Sequence, residues 1–325
     1  MSANLQVDGG MLDLIKPVSL IRYLMVWRVT SPVVILPRCL PRELVTVLGN
    51  LIGTSLPTQQ ARAWRKTLAA TATHWPIKAV LFAPYLASKR AYGKGELIVW
   101  ELKLMGEDAD HGLFLELILP AMEKAGTRKV DTSSRGARNL WGHFDIQAVY
   151  VSRGRSWEPL VEDGRLNLRY HATPTQWAEG LILGETMRSG FHYLTWLTPF
   201  EFAETQEKEL AGTTNPTLRD ILDALMIRMI FFLPGRPDVQ QLPEVLARIP
   251  SEEQKRIEWS LRQEESQPLI QQEALRASPK EWPGHKIGMQ VFQDILPPLL
   301  PYLELASILH IGEHTHLGCG TFVLT

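Results

Sequence analysis

The segment 310–320 combines three histidines with three glycines: His310, His314 and His316, and Gly312, Gly318 and Gly320. Glycine tolerates positive φ and allows close backbone approach, so the amides of such a loop can line a concavity that suits phosphate oxygens. Backbone donors of this kind hold a phosphate without reading a base. A bend that merely closes a sheet is the competing interpretation, and the glycines taken alone favour it.

The same histidines raise the question of a metal site. His310 and His314 are four residues apart, and with His316 they could bind zinc if all three imidazoles converged. A turn after His310 breaks the helical register, and no nearby cysteine or suitably spaced acid completes a ligand set. We therefore predict no metal and no cofactor, with His310 packed at a helix end. A phosphoesterase with two His-x-Thr motifs is excluded because only residues 171–173 fit.

Positive charge is concentrated in the first half of the chain. Residues 1–155 contain 20 Lys and Arg against 12 Asp and Glu, a net of +8, whereas residues 156–325 contain 14 against 23, a net of −9. This asymmetry predicts that the first half meets a polyanion, by phosphate contacts and base stacking on an aromatic ring. The residues expected to do so form three clusters: Arg62, Arg65 and Lys66; Lys89, Arg90, Tyr92 and Lys94; and Arg128, Lys129, Arg135 and Arg138. A solvated surface is the competing interpretation of any one cluster.

Length and cysteine content limit the class of protein. A chain of 325 residues predicts two domains of about 150 residues each. Cys39 and Cys319 form neither a metal pattern nor a disulfide framework, which predicts a reducing, cytoplasmic location. We expect no targeting segment and no membrane partner, because the N-terminus lacks a signal-peptide pattern and no apolar run approaches the ~18 residues of a membrane span.

Hydrophobic periodicity in the first half predicts the element order β-α-β-β-α-β, which is the ferredoxin-like arrangement. The first strand lies within residues 20–36 and ends at a proline. The elements that follow are helices at 42–52 and 59–70, strands at 78–83 and 96–104, a helix at 111–125 and a strand at 142–151.

The second half predicts the same order with one strand unplaced. Its elements are a strand at 191–197, a helix at 217–233, a strand at 286–292, a helix at 296–309 and a strand at 321–324. We thus predict an α+β protein with tandem ferredoxin-like, RRM-like domains. Their limits are 1–155 for the basic domain, 156–188 for a connecting segment, and 189–325 for the second domain, with a helical insert at about 234–283 and a glycine-rich loop at 312–320.

Several short blocks, in this order, resemble one family. An apolar helix, then His310-x-Gly312-x-x-Thr315-x-x-Gly318-x-Gly320 and a final strand, is similar to the glycine-rich loop of the RAMP superfamily of CRISPR proteins. More specifically, it resembles the C-terminus of the family that cleaves CRISPR repeat RNA. Further blocks that resemble this family are the tyrosine–glycine turn and strand at 92–104, the helix, basic turn and strand within 115–149, the strand ending in Thr-Pro at 191–200, and the helix with Arg228 at 216–233.

This resemblance implies an endoribonuclease that works without metal. The RNA 2′-OH attacks the adjacent phosphate and leaves a 2′,3′-cyclic phosphate, while one protein group removes a proton and another donates one. Histidine suits both tasks at neutral pH, so His314 and His316 are the catalytic candidates. Arg38 and Arg42 are candidates for stabilising the charge on phosphorus. The implied partners are CRISPR repeat RNA, the guide RNA made from it, and other Cas effector-complex subunits.

The chain also departs from the family pattern. The family usually places a catalytic histidine near its first helix, yet residues 1–73 contain no histidine. Glu313 stands where a basic residue commonly follows the glycine, and an Arg-Tyr-Ser-type segment is not recognisable in residues 260–280. A relative that holds guide RNA without cutting it is therefore the main alternative. A metabolic regulator with tandem ferredoxin-like domains and a small ligand is the second.

Overall fold

The computed structural model describes residues 9–57, 59, 79–82, 90–127, 140–181, 183, 192–202, 215–235, 238–266, 275–292 and 295–325. Within these ranges, every helix is either too short or too polar to cross a membrane. Residue contacts divide the chain into two units. The leading unit comprises Ser19–Leu181 and His316–Gly318, and the trailing unit comprises Met1–Val18, Ile182–Thr315 and Cys319–Thr325. The first helix, α1 (Gly9–Ile15), belongs to the trailing unit.

In its described residues, the leading unit combines antiparallel strands with two helices. Its strands are β1 (Leu20–Val29), β2 (Val33–Ile35), β3 (Ala79–Phe82), β4 (Ala91–Gly93), β5 (Leu97–Met105), β6 (Phe144–Arg153), β7 (Ser156–Glu162) and β8 (Arg165–Leu166). Its helices are α2 (Leu40–Ser55) and α3, which is an α-helix over His111–Leu113, a π-helix over Phe114–Ile118 and an α-helix over Leu119–Thr127.

Six of these strands form one sheet in the order β3-β5-β1-β6-β7-β8, with antiparallel neighbours. In β1, Tyr23, Met25 and Trp27 are buried while the residues between them are partly exposed. Side chains of a strand alternate between its two faces, so one face of β1 enters the core. There the Trp27 ring stacks on Phe144 with centroids 4.1 Å apart and meets the edge of Trp100 at 4.9 Å. Buried residues of α2 and α3 belong to the same core.

The structure adds strands where the sequence predicts a connection. Residues 156–162 and 165–166, inside the predicted connecting segment, form β7 and β8 at the edge of the sheet. The chain reverses into β7 at Gly154, where φ is +54° and a Cβ atom would lie 2.0 Å from the Glu179 carbonyl oxygen. Only glycine fits so close an approach. The predicted helix at 59–70 falls almost entirely outside the described residues, and the predicted domain limits stay a prediction.

The trailing unit contains shorter strands and more helix. Its strands are β9 (His192–Trp196), β10 (Arg276–Ala277), β11 (Lys286–Ile287), β12 (Met289–Phe292) and β13 (Phe322–Leu324). Beside α1, its helices are α4 (Leu218–Ile230), α5 (Leu242–Leu246), α6 (Ser251–Glu265) and α7 (Leu300–Leu309). Strands β12, β9 and β13 form an antiparallel sheet in that order, and β10 pairs with β11.

A capping motif fixes the start of α4, and aromatic rings pack in the core of the trailing unit. Thr217 and Asp220 exchange hydrogen bonds between side chain and backbone, a capping box that satisfies the first amides of α4. Trp196 on β9 stacks on Phe200 with centroids 3.9 Å apart and meets the edge of Phe322 at 5.1 Å.

The strand predicted at 286–292 is interrupted at a glycine, so β11 and β12 pair with different neighbours. The described residues therefore form a mixed α+β protein with antiparallel sheets.

Candidate functional site

Helix α7 leads directly into the histidine and glycine loop. It ends at Leu309, whose carbonyl accepts a hydrogen bond of 3.2 Å from Arg228 Nε on α4. Loss of solvent lowers the pKa of Arg228 to about 10, so the guanidinium stays charged at neutral pH. A cation at the carbonyl end of a helix interacts favourably with the helix dipole. Arg228 thus helps to fix the point where the loop begins.

His310 is a buried structural residue of this loop. It has a positive φ of 59° as the C-cap of α7, and its Nδ1 lies 3.1 Å from the Cys319 carbonyl oxygen. It packs at the helix end, as its position in the sequence predicts. Across the described part of the chain, no three His, Cys, Asp or Glu side chains are grouped as metal ligands would be.

Two loop glycines are required by backbone contacts. Gly312 has φ +83°, and a Cβ there would lie 2.3 Å from the Glu201 carbonyl oxygen. Gly320 has φ +79°, and its Cβ would lie 1.8 Å from the Ile311 carbonyl oxygen. Real Cβ atoms do not approach backbone oxygens this closely, so both positions demand glycine for the loop to close.

Several loop amides already donate hydrogen bonds within the chain. Those of Ile311, Glu313 and Gly320 donate to the carbonyls of Gly320, Glu201 and Pro199 at 3.0, 2.8 and 2.9 Å. The Thr321 amide donates to the Thr198 hydroxyl at 3.2 Å. An amide that is paired in this way is not available to a phosphate oxygen. The phosphate-binding role of Gly312, Gly318 and Gly320 stays a prediction, and at Gly320 it would rest on shape rather than on its own N–H.

His314 lies in a cluster that its sequence neighbours do not reveal. Its φ of 56° is unusual for a residue with a side chain, and such backbone strain is concentrated at functional sites. Its Nε2 lies 3.6 Å from Glu201 Oε2, and His285 Nδ1 lies 3.3 Å from the other oxygen, Glu201 Oε1. One carboxylate thus lies between two imidazoles, within ion-pair distance of each.

The backbone at residues 199–201 holds this cluster together. Phe200 forms an isolated antiparallel bridge with Lys286, which places His285 beside Glu201. The Glu201 carbonyl accepts the Glu313 amide, which places His314 there as well. Glu201 and both histidines line an open cavity of about 500 Å³, together with residues 277–280 and 282–284. Lys280 is exposed at this cavity and supplies a cation.

The predicted partner of His314 is not part of this cavity. His316 is half-buried in the single turn Thr315–Leu317, and the residues that line the cavity do not include it. The structure therefore pairs His314 with His285, which the sequence did not single out. No spacing rule connects residues 201, 285 and 314. The only local signal was the turn at Pro283-Gly284 before His285.

Four of the predicted cations of the leading unit, Arg38, Arg42, Arg90 and Lys94, lie in the segments next to a two-stranded ribbon. Strands β2 and β4 pair from Val33 with Gly93 to Ile35 with Ala91. Arg90 Nη2 donates to the Leu36 carbonyl at 2.9 Å, two residues before Arg38. The exposed predicted residues are Arg38 and Arg42, at the start of α2, and Arg90 and Lys94, at the two ends of β4; Tyr92, within β4, is partly buried. The other predicted contacts, Arg62, Arg65, Lys66, Lys89, Arg128, Lys129, Arg135 and Arg138, lie outside the described residues.

A buried charged group also lies on the sheet of the leading unit. Arg22 Nε lies 2.5 Å from Glu101 Oε1, and Lys103 Nζ lies 3.8 Å from the same oxygen. Burial alone would raise the pKa of Glu101, but the two cations outweigh burial and hold that pKa below its usual value. The carboxylate is therefore ionised at neutral pH, and we assign it to the stability of the sheet.

Comparison with known proteins reveals a shared fold. No family model matches the sequence, and no curated protein matches it. A chain of a partial Cas6-RT-Cas1–Cas2 complex aligns with a TM-score of 0.52 and 13% identity, over 94% of this chain and 46% of that chain. A chain of the Cas6-RT-Cas1–Cas2 complex has the same TM-score and identity, over 94% and 28%.

The chain thus spans less than half the length of each of the two matched chains. A Cas6 of Thermus thermophilus aligns with a TM-score of 0.47 and 14% identity, over 95% of this chain and 99% of that chain. At identities this low the likeness concerns the fold, and 94% of this chain shares it with part of a chain of the Cas6-RT-Cas1–Cas2 complex.

Proposed function

We propose that this protein binds CRISPR repeat RNA and cleaves it without metal at the loop that contains His314, and that it retains the product as guide RNA. The fold supports this proposal, since 94% of the chain aligns with part of a chain of a partial Cas6-RT-Cas1–Cas2 complex. In keeping with it, we propose that both units are ferredoxin-like. The order β3-β5-β1-β6 in the leading sheet and β12-β9-β13 in the trailing sheet are the orders that such units would have, the latter with one strand unplaced.

Charge supports RNA as the ligand. Arg38, Arg42, Arg90 and Lys94 are exposed around the β2–β4 ribbon of the net-positive half of the chain. Cations of this kind neutralise phosphates and release counterions, which gives affinity for RNA of any sequence. We include other Cas subunits among the partners of the protein, by analogy with the complexes that contain its structural neighbours.

Cleavage is tested by incubating the purified protein with the repeat RNA of the CRISPR array in the same genome, in the presence of EDTA. We expect discrete products that end in a 2′,3′-cyclic phosphate, because attack by the 2′-OH needs proton transfer and no metal. The matched control is the same RNA with a single 2′-deoxy nucleotide at the cut position, which should bind equally and remain intact. Products that require Mg²⁺ would contradict the proposed chemistry.

A non-cleaving guide-RNA binder is the second candidate. Two observations favour it: residues 1–73 lack a histidine, and amides of the loop are committed to internal carbonyls. The same incubation separates the candidates, because a binder retards the RNA in a gel and yields no product in either metal condition.

A further inference from the structure

The carboxylate of Glu201 stands between two histidines at the mouth of a cavity. His285 approaches one of its oxygens at 3.3 Å and His314 the other at 3.6 Å. The three side chains come from separate segments. These segments are joined by the β-bridge between Phe200 and Lys286 and by the hydrogen bond that the Glu313 amide donates to the Glu201 carbonyl. These backbone contacts bring the segments that carry the two histidines next to residues 200 and 201.

We infer that His285 is a catalytic residue that exchanges protons with RNA as the partner of His314, and that Glu201 is the positioning residue for both. This inference rests on the proposed cleavage of RNA. It replaces His316 by His285 in the acid–base pair, because the cavity is lined by His285 and His314 and not by His316.

A carboxylate shared by two imidazoles suits this chemistry. It lies within ion-pair distance of one nitrogen of each ring, at 3.3 and 3.6 Å, and leaves the opposite nitrogen of each ring for proton exchange. The reaction needs one neutral imidazole as the base and one imidazolium as the acid, and a single carboxylate beside both rings balances the charge of one imidazolium. Two protonated rings would repel each other across the same carboxylate.

The reaction is balanced without any added reagent. The neutral imidazole removes the proton of the 2′-OH as the bond from O2′ to phosphorus forms. The bond from phosphorus to O5′ then breaks, and the imidazolium delivers its proton to the departing O5′. The products are a 2′,3′-cyclic phosphate and a 5′-OH, and the two rings have exchanged protonation states. Lys280 at the same cavity faces the charge that develops on the phosphorane oxygens.

Access and size fit a nucleotide. The side chain of His285 is 77% exposed, whereas those of His314 and Glu201 are 32% and 25% exposed. His285 is therefore open to solvent, whereas His314 and Glu201 are both partly buried. The cavity volume of about 500 Å³ falls within the range of roughly 300–1,000 Å³ that is usual for small-molecule sites.

The first test is single-turnover cleavage of the repeat RNA in EDTA by His285→Ala and His314→Ala. We expect each variant to cleave about a hundredfold or more slowly, because loss of one proton-transfer group commonly costs that much. The dissociation constant for the 2′-deoxy RNA should be unchanged. His171→Ala, at an exposed histidine of the leading unit, is the matched control and should cleave like the wild type.

The second test distinguishes proton transfer from a merely structural role. An RNA whose leaving O5′ is replaced by sulfur needs no protonation, so it should restore the rate of one of the two histidine variants and not of the other. Restoration of neither or of both would overturn the assignment. Imidazole added to His285→Ala should also raise its cleavage rate, because the site is open to solvent.

The third test concerns Glu201. Glu201→Gln keeps the size of the side chain and removes the charge, so the cleavage rate should fall about tenfold or more with unchanged RNA affinity and an unchanged unfolding midpoint. If the wild type binds RNA and never cleaves it, the proposed function itself fails. If the wild type cleaves and His285→Ala keeps its full rate, only the assignment of His285 fails.

Discussion

At residue 320, a close approach of two backbone segments decides which side chain the loop tolerates. A Cβ on Gly320 would overlap the Ile311 carbonyl oxygen, and φ is +79°. We expect Gly320→Ala to lower the free energy of unfolding by about 3 kcal/mol or more, from clash and backbone strain combined.

The matched control is Gly235→Ala, in the same unit. Gly235 has φ +95°, and its Cβ would meet nothing within 4 Å. This variant should lose only the ~1–2 kcal/mol of a left-handed backbone. Urea denaturation followed by tryptophan fluorescence measures both values, and equal losses would show that the contact with Ile311 does not exist in solution.

The buried carboxylate of Glu101 gives the leading unit a stability that depends on pH. Glu101→Gln removes the negative charge between Arg22 and Lys103, and we expect a loss of about 3 kcal/mol at pH 7. Because the pKa of Glu101 is lowered by folding, its contribution is present above the unfolded pKa and is lost as pH falls through the folded pKa.

The difference between wild type and Glu101→Gln should therefore be largest near neutral pH and shrink in acid. Urea denaturation across a pH series measures it. Glu107→Gln, at an exposed carboxylate of the same unit, should stay within about 0.5 kcal/mol of the wild type. A difference that grows in acid would contradict the assignment.

At the scale of single elements, the start of α4 depends on its capping box. Thr217 accepts a hydrogen bond from the Asp220 amide, and Asp220 accepts one from the Thr217 amide. Thr217→Ala leaves the Asp220 amide without its hydroxyl acceptor and should cost about 1 kcal/mol. Thr54→Ala removes a hydroxyl that donates to a carbonyl within α2 and caps nothing. It should change stability by less than about 0.5 kcal/mol, and equal losses in the two variants would argue against the cap.

At the scale of the whole molecule, the uneven charge predicts where RNA affinity arises. Replacing Arg38, Arg42, Arg90 and Lys94 together by Gln should weaken binding of the repeat RNA. It should also reduce the slope of log affinity against log salt by up to about 3, since each phosphate contact to a single strand contributes about 0.7. Filter binding at several salt concentrations measures both quantities.

Two exposed cations of α6 provide the control. Lys255→Gln and Arg262→Gln remove positive charge from the acidic half of the chain. We expect the slope to be unaffected by these changes. A slope that falls equally in both sets would mean that RNA affinity follows net charge alone and does not depend on the leading unit.

Hydrophobic periodicity and the positions of proline and glycine were enough to predict most helices and strands that the structure describes. The apolar strand predicted within residues 20–36, the helical spacing in 111–125 and the helix predicted at 217–233 each reflect a local preference that the structure retains. The glycines at 312, 318 and 320 were also visible in the sequence, and all three have a positive φ in the structure, as a glycine-rich turn requires. Such features depend on neighbours along the chain.

The chemistry at the cavity depends on neighbours in space. Glu201, His285 and His314 are far apart in sequence. They meet because one β-bridge and one backbone hydrogen bond join their segments at residues 199–201. By itself the sequence determined which segments become strands and helices and where the cations are concentrated. Only tertiary structure decided which histidine faces His314, because that pairing is set by backbone hydrogen bonds between segments and not by any spacing along the chain.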